Sequence, residues 1–194
     1  MLFDENDPQL GEIAKLEKEL LEKKKKLVEL KQKLPEQEVK NYSFKTWDGG
    51  AITLADMFGD KDELILIHNM GKRCPYCTLW ADGYNGLTQH LENRAAFVVT
   101  SPDDPDIQKK FAESRGWKFK MYSVHESSFP KDMRFQGDKD DYWPGVSTFH
   151  KDAKGKIYRK AWAYFGPGDD FCAVWPMLDL LPTGPNKWEP KYKY

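Results

Sequence analysis

Apolar residues recur along residues 7–34 at alternating steps of three and four: Ile13, Leu16, Leu20, Leu27, Leu30 and Leu34, with Lys23 breaking the series. That spacing puts them on one stripe and predicts a single long helix over 7–34. Asp7 suits the N-cap and Pro8 the first helical position. Pro35 stops the helix, because it lacks a donor and biases Leu34 away from helical geometry. Lys23 to Lys26 form a basic run on a surface rich in Glu and Lys. A solvated face accounts for it better than a nucleic-acid contact. The stripe has to pack on its own domain or on a partner helix, so a homodimer through this segment is one expected outcome.

Beyond Pro35 the pattern changes. Asn41 to Thr46 reads as a short strand, Asp48-Gly49-Gly50 as a turn, and Thr53 to Phe58 as a short helix or loop. Leu64 to His68 is apolar on both faces, as a central buried strand requires. A helix then runs to about Glu92, and Ala95 to Thr100 is a further strand. Asp104 caps a helix opened by Pro105 and closed after Arg115 by Gly116, with Ile107 and Phe111 expected to face inward. Phe119 to Val124 reads as a strand, and residues 125–144 as a long irregular connection of the kind that carries function. Val146 to His150 and Lys156 to Tyr164 form a hairpin around Asp152-Ala153-Lys154-Gly155. Phe171 to Leu181 is expected to be helical, kinked or divided by Pro176, and the tail from Pro182 to lie on the surface. The organisation predicted is a helix over 1–35 followed by one α/β domain over 36–194.

Between the buried strand and its helix stands Cys74-Pro75-Tyr76-Cys77. Strand, Cys-x-x-Cys, helix, strand, helix, then hairpin and helix is the element order of a thioredoxin fold, a mixed sheet with helices on both faces. A thiol reacts as its thiolate, and an ordinary cysteine has a pKa of about 8.5. Cys74 falls at the first turn of the helix, where unpaired N–H groups and the helix dipole favour an anion. Lys72 and Arg73 add positive charge, and Pro75 fits the first helical position. Cys74 is therefore the expected attacking thiol. Cys77, one turn further in, is placed to resolve a mixed disulfide.

A hydrophobic fraction of 40% with 14% aromatics excludes a disordered chain. The 30 basic and 31 acidic residues leave a formal net charge of −1, so no global field draws nucleic acid or an anionic membrane. No apolar run approaches the roughly 20 residues that span a bilayer. The acidic start MLFDENDPQLGE lacks a signal-peptide core. A cytoplasmic protein is expected, where thiols are kept reduced and a close pair is catalytic or metal-binding rather than structural. Three cysteines are too few for a disulfide scaffold. A zinc site would need two more ligands, and Cys172, His68, His90, His125 and His150 supply no second tight pair. Neither a metal nor an organic cofactor is expected.

Supporting roles fall to neighbours. His68, six residues before Cys74, is a candidate to move a proton to or from Cys77, with hydrogen-bonded structure as the alternative. Asp82, beyond Cys77, is a candidate to orient the site or cap a bend beside Gly83 and Gly86. Trp80, Tyr84, Trp143 and Phe149 are candidates to line an apolar groove, against core packing as the default. Cys172 stands alone in an apolar stretch and reads as a small buried hydrophobe.

The strings GKRCPYCTLWADGYNG, HLENRAAFVVTSPDDPDIQKKFAESRGWKF, TLADMFGDKDELILIHNM, PGVSTFHKDAKGKIY and WPMLDLLPTGP, with the leading helix, resemble the thioredoxin-like family called domain of unknown function 899. The likeness covers nearly the whole chain. It implies a thioredoxin-like fold with Cys74 and Cys77 as a redox pair, and Trp80, Asp82 and Gly83 as part of the family's signature. Thioredoxins and glutaredoxins carry a cis-proline directly before the strand that faces the cysteines. Here Val146 takes that place, with Pro144 two residues earlier, and the arginine that peroxiredoxins commonly place nearby is absent. Tyr42 to Phe58 is more similar to the peroxiredoxin-like branch. The expected substrates are therefore a disulfide-bearing protein, a small thiol or a peroxide. A binding module without catalysis is the alternative.

Overall fold

The computed structural model describes residues 8–194, so the expected cap Asp7 lies outside the described residues. The chain divides after Glu36 into two compact units. The first holds helix α1 (Pro8–Gln32). Its last turn tightens before Pro35: the Lys33 N–H bonds back to both Glu29 and Leu30, and the Leu34 N–H to Lys31, each at 3.2 Å.

The second unit, Gln37–Tyr194, is a mixed sheet flanked by helices. Its strands are β1 (Gln37–Val39), β2 (Ser43–Lys45), β3 (Ala51–Thr53), β4 (Glu63–His68), β5 (Ala96–Ser101), β6 (Lys120–Ser123), β7 (Gly145–Lys151) and β8 (Ile157–Tyr164). They lie side by side in the order β1-β8-β7-β4-β5-β6-β2-β3. Helices α2 (Pro75–Arg94) and α3 (Pro105–Arg115) make the crossovers between the parallel strands β4, β5 and β6. A 3-10 turn (Asp56–Phe58) and the short α4 (Phe129–Asp132) and α5 (Val174–Asp179) complete the unit among the described residues. The fold is the thioredoxin-like arrangement expected from the element order.

The pleat of β4 and β5 sorts the core into two layers. Leu64 and Leu66 meet Val98, Phe129, Phe135 and Phe149 on one face. Ile67 meets Phe97, Val99 and the inner side of α2 on the other. Along α2 that inner side is Cys77, Trp80, Ala81, Tyr84 and Thr88, spaced as one helical stripe. Burying an aromatic or aliphatic side chain of this size stabilises the fold by about 1.5–3 kcal/mol. The cysteine helix is thus held to the sheet by its own apolar stripe.

Several expectations shift. The strands β1 and β3, each of 3 residues, carry no legible alternation and escape a reading of periodicity. Helix α3 has the expected ends: Asp104 caps it by accepting from the Asp106 N–H, and Gly116 closes it in left-handed geometry at φ 67°. Its face is rotated, however. Gln108 and Ala112 are buried while Ile107 is 39% exposed, because Gln108 finds buried hydrogen-bond partners in Ser101 and Trp47. The helix expected over 171–181 shrinks to α5, which keeps Pro176 within it. The connection over 125–144 contains α4 and a bridge between Gln136 and Tyr142.

Candidate active site

Cys74 is the N-cap of α2. Its backbone is extended, at φ −104° and ψ 106°, and Pro75 starts the helix. This geometry turns the first helical N–H groups toward the Cys74 sulfur. The Cys77 N–H donates to Cys74 Sγ across 3.0 Å. Thr78 secures the turn by donating its hydroxyl to the Cys74 carbonyl at 3.0 Å. Both cysteines are free and buried, Cys77 more deeply, at 2% exposed against 9% for Cys74.

The two thiols are driven apart in acidity. A hydrogen bond from the Cys77 thiol and backbone N–H groups of Cys77 and Tyr76 bring Cys74 down to about 7, against burial, which acts the other way. Burial, the thiol's bond to Cys74, and the charges of Cys74 and Asp103 hold Cys77 well above the ordinary range. An N–H bond from Met70 to Cys77 Sγ at 3.4 Å only partly opposes this. Lys72 and Arg73 do not figure among the causes of the Cys74 shift; the expected aid from their charges is replaced by hydrogen bonds.

The loop before Cys74 is held by residues that sequence reasoning missed. Asn69, 9% exposed, accepts from the Gly71 N–H at 2.8 Å and donates to the Cys77 carbonyl at 3.3 Å. Asp103, from the loop after β5, accepts from the Lys72 N–H at 2.8 Å. Gly71 sits at φ 91°, where a side chain is strained, and a Cβ there would lie 2.7–2.9 Å from the Asp103 carboxylate. The sequence signals were weak: one polar residue closing a buried strand, and a Pro-Asp-Asp-Pro turn whose second aspartate is the helix cap.

An open cleft of about 950 Å³ leads to Cys74. Lys72, Arg73, Pro75, Asp103, His125 and Tyr142 are among its walls, so Arg73 and Pro75 border the reactive sulfur. Beneath it, Tyr76 meets Trp80 and Trp175 with ring centres 6.3 and 6.2 Å apart. The Trp80 indole N–H donates to Asp169 at 3.4 Å. Val146 is in register with Ile67 and packs against the apolar cluster that contains both cysteines and Cys172. Burial pushes the Cys172 thiol up.

Four of the expected residues stand elsewhere. His68 shares the pleat of Leu64 and Leu66, so its ring lies on the sheet face opposite α2, stacked on Phe135 at 3.7 Å and joined to Ser147 Oγ at 2.9 Å. It is not placed to exchange a proton with Cys77. Beside it the buried Arg159 lies over the Phe135 and Trp162 rings, and burial lowers both groups, Arg159 to about 10. Asp82 points away from the cysteines and pairs with Arg115, while the Trp117 indole donates to it at 2.8 Å. It ties α2 to the end of α3. Trp143 is 44% exposed and meets Tyr164 rather than the cysteines, and Phe149 belongs to the His68 face. Of the aromatic candidates, Trp80 and Tyr84 share the cysteine layer.

Among the described residues no group of three or more His, Cys, Asp or Glu side chains converges as a metal site. No helix there is long and apolar enough to cross a membrane.

The family model described as bacterial protein of unknown function (DUF899) matches residues 10–194. The chain belongs to the DUF899 family. No curated protein matches it. Solved structures similar to this DUF899 chain include the peroxidoxin BcpB of Mycobacterium tuberculosis, at 22% identity and a TM-score of 0.52 over 63% of this chain and 80% of that one. Prx3 of Vibrio vulnificus, solved reduced and with hydrogen peroxide, has a TM-score of 0.55 at 15% identity, over 70% and 90% of the two chains. A peroxiredoxin-like protein of Aquifex aeolicus has 0.51 at 19%, over 66% and 74%. At such identities the likeness is one of fold: this DUF899 member shares the thioredoxin-type scaffold of those proteins.

Proposed function

We propose that this protein is a cytoplasmic thiol–disulfide oxidoreductase working through Cys74 and Cys77. The supporting observation is the N–H of Cys77 aimed at Cys74 Sγ, the less deeply buried sulfur of a pair whose inner thiol is held protonated. The Cys74 thiolate attacks one sulfur of a substrate disulfide. A mixed disulfide forms and the other substrate sulfur leaves as a thiolate, which takes a proton from water. Cys77 then attacks Cys74 Sγ, its proton passing to the departing substrate sulfur. The intramolecular disulfide closes, the second substrate sulfur leaves, and the substrate has gained two electrons. A dithiol reductant restores the pair. Neither step calls on a cofactor, and the substrate is a protein or a small molecule bearing a disulfide.

The test is exchange with a chromogenic disulfide. Cys74→Ser should abolish it, and Cys77→Ser should accumulate a mixed disulfide visible by mass. Full activity of Cys74→Ser sinks the proposal.

Peroxide reduction is a second reading, favoured by the N–H groups of Tyr76 and Cys77 at the sulfur that opens on the cleft. The thiolate would attack a peroxide oxygen and release an alcohol or water, leaving a sulfenic acid, which Cys77 condenses to the disulfide with loss of water. Stoichiometric loss of peroxide in the presence of dithiothreitol distinguishes it.

A further inference from the structure

Helix α1 buries none of its residues. Its stripe of Ile13, Leu16, Leu20, Leu27 and Leu30 is exposed by between 50% at Leu27 and 58% at Leu20. Steps of three and four that repeat every seven residues make the seam of a coiled coil. In heptad terms Ile13, Leu20 and Leu27 take position a, and Leu16, Lys23 and Leu30 take position d. The flanking e and g positions are divided by sign along the helix. Glu12, Glu17 and Glu19 fill them in the first half, and Lys24, Lys26, Lys31 and Lys33 in the second.

We infer that α1 is a homodimerisation helix, pairing antiparallel with α1 of a second copy of this chain in a two-stranded coiled coil centred between Leu21 and Glu22. Charge decides the orientation, because e and g residues face the partner helix. In a parallel pair each g position faces the following e position of the other helix. That sets Glu12 against Glu17 and Lys26 against Lys31, and puts both Lys23 side chains in one layer. In an antiparallel pair a packs on d, g faces g and e faces e. Ile13 then meets Leu30 of the second copy, Leu16 meets Leu27, and Leu20 meets Lys23. Glu12 faces Lys33, Glu19 faces Lys26 and Glu17 faces Lys24, so the facing charges are opposite in sign. A slip of one heptad either way sets Glu19 on Glu19 or Lys26 on Lys26, so the same pattern fixes the register. The contact is isologous, as a two-fold dimer requires. Its layers from Ile13 to Leu30 span about 26 Å at the helical rise. Lys23 near the centre costs stability and adds specificity.

Leu21 and Val28 widen the apolar stripe beside the e positions, so the test must read mass and not association alone. Sedimentation equilibrium of the reduced full-length protein should give two chains of 22.6 kDa that separate on dilution. Lys26→Glu should weaken the dimer about tenfold, because two symmetric pairs pass from attraction to repulsion. Glu19→Lys should do the same, and the chain carrying both exchanges should recover wild-type strength. Leu27→Lys sets a charge against Leu16 and should leave a monomer whose circular dichroism still reports a folded domain. A wild type that is monomeric at every concentration overturns the inference, as does a mass of four chains or a dimer indifferent to Leu27→Lys. Tighter pairing of Lys26→Glu would mark a parallel pair, where it relieves the clash with Lys31, and overturns the antiparallel arrangement. Failure of the double exchange to recover overturns the register.

Discussion

The side-chain amide of Asn69 donates to the carbonyl of Cys77 across 3.3 Å, while its oxygen takes the Gly71 N–H. One buried side chain thus ties the end of β4 to the first turn of α2. Asn69→Ala leaves both backbone groups to find other partners. A buried hydrogen-bonding group left unsatisfied costs about 1–3 kcal/mol. The variant should lose stability in that range in urea unfolding, and disulfide exchange should slow as the loop loosens. Unaltered stability would show that these bonds contribute little.

Cys74 owes its acidity first to the Cys77 thiol. Alkylation of Cys74 in the wild type should rise with pH through about 7. In Cys77→Ala the thiol donor is gone and only the backbone N–H groups remain, so the midpoint should move up. A midpoint that does not move would assign the shift to the helix start alone.

His68 is buried and held well below the ordinary histidine value of 6.5 by burial, with Arg159 adding to the effect. The unfolded imidazole takes a proton near 6.5 that the folded one refuses. Stability is therefore complete above that value and is lost as pH falls from it toward the folded pKa. Urea unfolding between neutrality and about pH 5 should show a steeper loss for wild type than for His68→Gln. Equal slopes would mean that His68 titrates alike in both states.

Asp82 joins α2 to α3 through Arg115 and the Trp117 indole. The pair is partly exposed, with side chains 35% and 24% accessible, so screening limits its worth. Asp82→Ala should cost about 1–2 kcal/mol in thermal or urea unfolding, most of it from the hydrogen bonds. A double variant with Arg115→Ala that loses no more than Asp82→Ala alone would show that the two act as one unit.

Gly145 begins β7 where the backbone passes against the Ala163 carbonyl and the edge of Phe135. A Cβ would overlap both. Gly145→Ala should destabilise the fold by about 1–3 kcal/mol through overpacking, measurable as a lower urea midpoint. Wild-type stability would mean that both Phe135 and the backbone at Ala163 can give way.

Much of this architecture is legible in the residues themselves. A strand apolar on both faces, a cysteine before proline, and a second cysteine one turn later locate the start of α2. Asp104, Pro105 and Gly116 mark both ends of α3. These signals are local: backbone propensity, capping and periodicity act over a few residues, so they survive without knowledge of neighbours. What the chain alone could not decide is which face each side chain meets. His68 and Phe149 turned away from the cysteines because the pleat of β4 and β7 places them with Leu64 and Leu66. Gln108 displaced Ile107 as the inward residue of α3 because its amide bonds to Ser101 and Trp47. Asp103 reached Lys72 across a sequence separation of 31 residues only through the parallel pairing of β4 with β5. Contacts of that kind depend on packing between elements distant in sequence, and they exist only once the sheet has assembled.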